Sequence, residues 1–272
     1  MKAKNCIILV PVYKDVLSLE ETASLRQLLN VLGHWDIRFV CPEYLDMTVY
    51  DAITKTPLAK ERFNDSFFDG IAGYNRLMRD NAFYRRFEEY KYMLIYQLDA
   101  WVFRDELEYW CSQGYDYVGA PWFKHFGTHK KENSLWRCGN GGLSLRKIDK
   151  FIRCTSPDAP IYTLWGIILH ANRHFLRNII RYIRYPNNIG WFIYHLANTW
   201  EDNFFCCDLS ETSHALKCPK PEVAARFSFE SSPSYLFSLT GGELPFGCHA
   251  WKRYEYEVFW HEFIKPSCSE LL

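Results

Sequence analysis

Four short stretches of this chain hold residue types that could do chemistry. Asp99 ends the apolar run 92–98 (YMLIYQL) and is followed by Ala100-Trp101-Val102-Phe103. In open α/β sheets, ligands bind outside the carboxyl ends of the strands, and a carboxylate there can hold a divalent cation through oxygen. A helix N-cap or an ion-pair partner would suit the same position. Gly139-Asn140-Gly141-Gly142 runs into Leu143-Ser144-Leu145-Arg146. Clustered glycines let the backbone approach a ligand and offer amide donors. No Lys-Ser/Thr follows them and they do not read G-x-G-x-x-G, so neither nucleotide fingerprint is present and a plain tight turn is the alternative. Trp200-Glu201-Asp202-Asn203 sets two adjacent acids among aromatics. Apolar surroundings raise a carboxyl pKa, which suits a general base; the competing reading is the exposed start of a helix. Pro245-Phe246-Gly247-Cys248-His249-Ala250-Trp251 places a histidine in a Gly/Pro loop, as a metal ligand, a phosphate donor or a structural residue.

The elements that must position these residues read as an α/β alternation. Residues 5–13 (NCIILVPVY) are an apolar run stopped by a charge, the pattern of a buried parallel strand. Residues 18–32 have helical periodicity, with Ser18 and Glu21 spaced as a capping box and Gly33 at the end. Residues 36–41 (DIRFVC) read as a second strand, which makes a β-α-β opening. Further on, 70–87 reads as a helix, 92–98 as a central strand, 104–113 as a helix and 115–120 as a strand. Residues 124–137 read as a polar loop, and 161–199 as mainly helical. No internal repeat or low-complexity linker divides the chain, which reads as one domain over 1–272.

Composition narrows the classes. In 272 residues, 32 Lys+Arg balance 32 Asp+Glu, which argues against a bulk electrostatic binder of nucleic acid. Aromatics make up 18% of the chain, which excludes wholesale disorder. The ten cysteines have no Cys-x-x-Cys spacing and read as reduced, mostly buried thiols. The short apolar run after Lys4 lacks a cleavage site, and no window is long enough to span a membrane, so a cytoplasmic protein is expected.

The order strand-Asp, glycine turn, acid pair and late His resembles GT-A type glycosyltransferases. It is most similar to a bacterial family of such enzymes first catalogued as a domain of unknown function. The resembling pieces are Tyr96-Gln97-Leu98-Asp99-Ala100-Trp101-Val102-Phe103, Tyr117-Val118-Gly119-Ala120-Pro121-Trp122, the turn 139–146, Trp200-Glu201-Asp202, Arg226-Phe227-Ser228-Phe229-Glu230, and the stretch 245–251. The resemblance implies an α/β, GT-A-like (Rossmann-like) fold with a mostly parallel central sheet flanked by helices and a helical insert at about 159–200. It implies transfer of a sugar from a UDP- or GDP-type nucleotide sugar to a saccharide acceptor in surface polysaccharide assembly, with a nucleotide-binding part at about 1–122 and an acceptor part at about 123–272; the acidic pair favours inversion.

The same resemblance distributes the roles. Pro11, Val12 and Tyr13 would lie near the base or ribose, and Tyr74, Asn75 or Arg76 would face the nucleotide. Asp99 would stand in the Asp-x-Asp position that binds metal and diphosphate, with His249 completing the metal site. Gly141 and Gly142 would line the donor sugar, and Glu201 and Asp202 would supply the base. Trp101, Trp122, Trp200 and Trp251 lie within or beside these motifs and are candidates to stack on sugar rings. The Asp-x-Asp motif is incomplete: Trp101 replaces its second acid, or Gln97 its first. One carboxylate, His249 and diphosphate oxygens would then share Mn²⁺ or Mg²⁺; a metal-free enzyme is the alternative.

Between Ala159 and Trp200 there is no acidic residue, and Arg173, Arg177, Arg181 and Arg184 share one helical face. That face suits an anionic membrane surface or a lipid-linked acceptor, with peripheral docking at the inner membrane face; a solvated stripe is the alternative. Two other classes compete with the enzyme: a non-catalytic carbohydrate-binding protein using the aromatics, and a nucleotidyltransferase. The latter would want a Gly-rich, basic loop after the first strand, which Val12-Tyr13-Lys14-Asp15 is not.

Overall fold

Strand β1 (Lys4–Pro11) is buried on both faces from Cys6 onward, which places it at the centre of the sheet from which the site is hung. The computed structural model describes residues 4–124, 134–161, 176, 179, 180, 183, 186–195 and 200–264. After β1 come α1 (Leu19–Leu32), β2 (Asp36–Pro42), α2 (Thr48–Thr54), β3 (Ala59–Phe63), α3 (Gly70–Met78), α4 (Asn81–Arg85), β4 (Tyr90–Tyr96) and β5 (Ala100–Val102). Then follow α5 (Leu107–Ser112), β6 (Tyr117–Val118), β7 (Pro121–Phe123), β8 (Leu135–Cys138), β9 (Leu143–Lys147), α6 (Ile148–Thr155) and α7 (Ile189–His195). Next come α8 (Glu201–Asn203), α9 (Pro221–Phe227), β10 (Ser228–Phe229), α10 (Pro233–Leu239) and β11 (Gly247–His249), followed by a π-helix at Tyr256–Trp260.

The main sheet has the order β3-β2-β1-β4-β9-β6. β1 pairs in parallel with β2 and β4, β2 in parallel with β3, and β9 runs antiparallel to both β4 and β6. Side chains alternate between two cores, as the period of a strand requires. Ile8, Val10, Leu94 and Tyr96 pack with Leu25, Leu28 and Trp110 of α1 and α5. Ile7, Leu9, Met93 and Ile95 pack with Leu77, Phe83, Tyr84 and Phe151 of α3, α4 and α6. A small sheet, β10-β11-β5, carries a third core around Trp101, Trp251 and Trp260.

The capping box of α1 forms as its spacing predicts: Ser18 Oγ accepts from the Glu21 amide at 3.1 Å, and Glu21 accepts from the Ser18 amide at 2.8 Å. Other expectations are corrected. The helix expected over 70–87 is two helices, because Asp80 caps the second by accepting from the Ala82 amide at 2.8 Å. The central strand ends at Tyr96, so Gln97, Leu98 and Asp99 form the turn into β5. The strand expected over 115–120 is confined to Tyr117–Val118, and β7 pairs with β8 as a separate hairpin. The segment between β2 and residue 70, to which the sequence assigns no element, contains α2 and β3. Arg173, Arg177, Arg181 and Arg184 lie outside the described residues. Among the described residues, no helix is long and apolar enough to cross a membrane.

Candidate functional site

Strand register brings the late histidine to the strand-end aspartate. β11 runs antiparallel to β5 with His249 opposite Ala100, so its ring lies next to Asp99. His249 Nε2 is 3.1 Å from Asp99 Oδ1 and 3.2 Å from Gln97 Oε1. β10 runs parallel to β11 with Phe229 opposite Cys248, which sets the next residue, Glu230, beside His249. Its Oε1 is 3.2 Å from His249 Nδ1. The imidazole thus lies between two carboxylates: the Glu230 side chain is 11% exposed and that of Asp99 is 53% exposed, open to solvent.

The glycine turn forms the other wall. The Gln97 amide donates to the Gly142 carbonyl at 2.9 Å, which ties the end of β4 to the turn. A Cβ on Gly142 would run into His249 Nε2, and a Cβ on Gly141 into Glu201 Oε1. These two positions need glycine for close approach rather than for a left-handed backbone. The left-handed residue of the turn is Asn140, with φ 61°, and its amide reaches His249 Nδ1 at 3.2 Å.

Charge in this cluster is mutually dependent. Burial alone would depress His249, but Asp99 and Glu230 raise its pKa to about 10. Burial alone would raise the Asp99 carboxyl, yet His249 holds it below the ordinary range, with a smaller contribution from Lys14. Asp202 is pushed upward, mainly by burial and further by the Glu230 carboxylate.

Glu201 has a different neighbour. Its Oε1 accepts from Arg146 Nη2 at 2.9 Å, and both side chains are shut away from solvent. Arg146 also donates to Ser144 Oγ at 3.1 Å and to the Tyr84 hydroxyl at 3.0 Å. Burial raises the Glu201 carboxyl to about 7 despite the arginine. Its Oε2 is buried with no hydrogen-bond partner. The Glu201 amide donates to Asn75 Oδ1 at 2.8 Å, which clamps α8 to α3.

Several expected roles change with this geometry. Trp101 and Trp251 are each 1% exposed and meet edge to face, so they are core residues and not sugar platforms. Glu201 is sealed by Arg146, which leaves Asp202, half-buried, as the reachable acid of the pair. Asn75 is buried and positions α8 instead of facing a nucleotide. Pro11 and Val12 are buried, and only Tyr13 of that group is exposed, next to Lys14. Arg76 is exposed and donates to the Ser66 carbonyl at 2.6 Å. Trp200 is exposed. Trp122 is half-buried, fills the space beside Gly139 and stacks on the exposed Trp136 with centroids 6.1 Å apart.

Glu230 and Arg146 lie within stretches that carry the resemblance, and Lys14 follows the first strand, but the sequence assigns none of them a role; Trp136 is not singled out at all. A basic residue on the apolar strand Leu143-Ser144-Leu145-Arg146, where a buried partner is obligatory, was a usable signal for Arg146. Nothing in the sequence reports the register that brings Glu230 to His249. Among the described residues, no three His, Cys, Asp or Glu side chains form a group that could hold a metal ion. A cavity of about 610 Å³ lined by Arg104, Phe237 and Leu244 shares no residue with this cluster.

This architecture recurs in solved glycosyltransferases. An active-site mutant of LgtC superposes with a TM-score of 0.55 at 12% identity, covering 97% of this chain and 95% of that one. The galactosyltransferase LgtC in complex with donor and acceptor sugar analogs gives 0.51 at 11% identity over the same shares. Mouse xyloside xylosyltransferase 1 in its apo form gives 0.50 at 10% identity, covering 90% of this chain and 97% of that one. The fold is therefore that of the GT-A glycosyltransferases, an α/β fold with a mostly parallel central sheet. Residues 57–249 match DUF5672, a protein family of unknown function, and the chain belongs to that family. No curated protein matches it in sequence.

Proposed function

We propose that the protein is a glycosyltransferase that moves a sugar from a UDP- or GDP-type nucleotide sugar to a saccharide acceptor. The observation that carries this reading is the Asp99–His249 contact of 3.1 Å just beyond the carboxyl end of β4, with the Asp99 carboxylate open to solvent. In an open α/β sheet that is where a nucleotide ligand lies.

The donor set fits a divalent cation with few protein ligands. Asp99 Oδ1, Gln97 Oε1 and His249 Nε2 converge, and this set would hold Mn²⁺ or Mg²⁺, completed by diphosphate oxygens and water, with the cation displacing the proton that the two carboxylates hold on the imidazole. Glu230 on the far ring nitrogen has the place of a carboxylate that orients a metal-binding histidine. When bound, the cation would offset the negative charge that grows on the leaving diphosphate. Lys14 acts at long range on Asp99 and is a second source of positive charge there. Asp202, with its raised pKa, takes the proton of the acceptor hydroxyl. The Trp122–Trp136 pair offers an apolar ring face to a sugar.

Thermal shift with UDP and GDP, with and without Mn²⁺, tests the reading. Stabilisation by one nucleotide that grows with Mn²⁺ and disappears in Asp99→Asn supports it; no nucleotide effect refutes it. Nuclear magnetic resonance of the product's anomeric centre then defines the role of Asp202. Inversion fits a base in a single displacement, and retention makes Asp202 a carboxylate acting on the sugar itself.

A further inference from the structure

One helical segment turns apolar side chains to solvent. Leu176, Ile179, Ile180 and Ile183 are helical. Ile179 packs against the core formed with α3, α4 and α6, whereas Leu176, Ile180 and Ile183 are 74%, 58% and 78% exposed. Positions 176, 180 and 183 fall within about 60° of one another around a helix, so the three make one row. A surface helix ordinarily sets its apolar stripe on the core and polar residues outward. Here aliphatic residues hold the outer row.

The sequence around this row carries charge of one sign. Between Ala159 and Trp200 there is no acidic residue, and Arg173, Arg177, Arg181 and Arg184 supply the cations. An arginine directly follows each exposed residue, as Leu176-Arg177, Ile180-Arg181 and Ile183-Arg184. Successive helical residues are about 100° apart, so the sequence pattern sets a row of arginines beside the apolar row.

We propose that this segment is a docking surface for an anionic lipid bilayer, with the aliphatic row entering the headgroup boundary and arginine charge meeting lipid phosphates. The two halves of the pattern act together: a short apolar row alone binds weakly, and cations near a negative leaflet add attraction. Long arginine stems keep the guanidinium groups at the phosphates while the neighbouring Leu and Ile sink below them. A second copy of this chain is the poorer occupant. A two-fold contact sets one patch against itself, so an acid-free basic surface would meet its own charge. The proposal uses no residue of the cleft and stands apart from the proposed sugar transfer.

The test is flotation of the full chain with vesicles of phosphatidylcholine alone and of phosphatidylcholine mixed with phosphatidylglycerol. Partition into the anionic vesicles should exceed that into the neutral ones by at least about tenfold. It should collapse at about 0.5 M NaCl, where screening leaves only contacts within about 4 Å. Ile180→Asp/Ile183→Asp and Arg177→Glu/Arg181→Glu should each lower the partition by about tenfold or more. Hydrogen exchange of the wild-type chain should show protection gained over 176–183 when anionic vesicles are added, which decides the matter even if a variant does not fold. No flotation with anionic vesicles, equal binding to neutral ones, or protection confined to other segments would each overturn the proposal. So would a wild-type dimer that Ile180→Asp/Ile183→Asp converts to a monomer, because a second copy would then cover the row.

Discussion

The Arg146 guanidinium donates to the Glu201 carboxylate at 2.9 Å in a region closed to water, between the glycine turn and the acid pair. The pair sits where a side chain on Gly141 would have to go. It therefore fixes the spacing between the two motifs from behind the cleft. Asp202, the next residue, is the acid left on the accessible side.

Stability should report this pair through pH. The Glu201 carboxyl is raised from 4.5 in water to about 7 by burial. As pH rises from 4.5 to about 7, the unfolded chain ionises this group while the folded chain resists, so this contribution to stability falls through that window. Glu201→Gln mimics the protonated form and should lack the dependence. Denaturant titrations at pH 5 and 8 should show the variant gaining on the wild type by about 2.5 kcal/mol. Glu201→Ala should lose about 3 kcal/mol at pH 5, from a cavity and an unpaired arginine donor, and because it removes the same titrating group its deficit against the wild type should shrink at pH 8 as Glu201→Gln gains.

Asp202→Asn separates chemistry from support. Its side chain accepts from the neighbouring Asn203 amide at 2.8 Å, a local bond that joins no two elements. The melting temperature should hold within a few degrees while sugar transfer falls by at least about 100-fold, the size of a general-base contribution. Nucleotide-induced thermal shifts should persist.

The glycine turn makes a paired prediction. Gly142→Ala pushes a methyl group into His249 Nε2, and Gly141→Ala pushes one into Glu201 Oε1. Both should destabilise by about 1–3 kcal/mol, the cost of overpacking. Only Gly142→Ala should also remove the Mn²⁺ dependence of nucleotide binding, measured by calorimetry, because only there is the displaced atom a proposed metal donor.

The parts of the fold carried by local pattern were legible in the sequence. The apolar run of β1, the Ser18–Glu21 box of α1 and the placement of Asp99 at a strand end are all local signals. What was not legible depends on register between distant segments. Glu230 reaches His249 only because β10 and β11 pair in parallel, and His249 reaches Asp99 only because β11 turns antiparallel to β5. The tryptophans divided for a similar reason. Composition cannot distinguish a Trp facing the third core, such as Trp101 or Trp251, from one on an open hairpin, such as Trp136.

That division gives the last prediction. Trp136 is 45% exposed and stacked on Trp122. Its removal takes little from the core, so Trp136→Ala should leave the melting temperature nearly unchanged. If the hairpin carries the sugar face, the same variant should raise the KM for acceptor with little change in nucleotide affinity. Trp101→Ala and Trp251→Ala empty the third core and should cost about 3–5 kcal/mol each. A Trp136→Ala protein with wild-type KM for acceptor and donor would show that the hairpin pair does not carry the sugar.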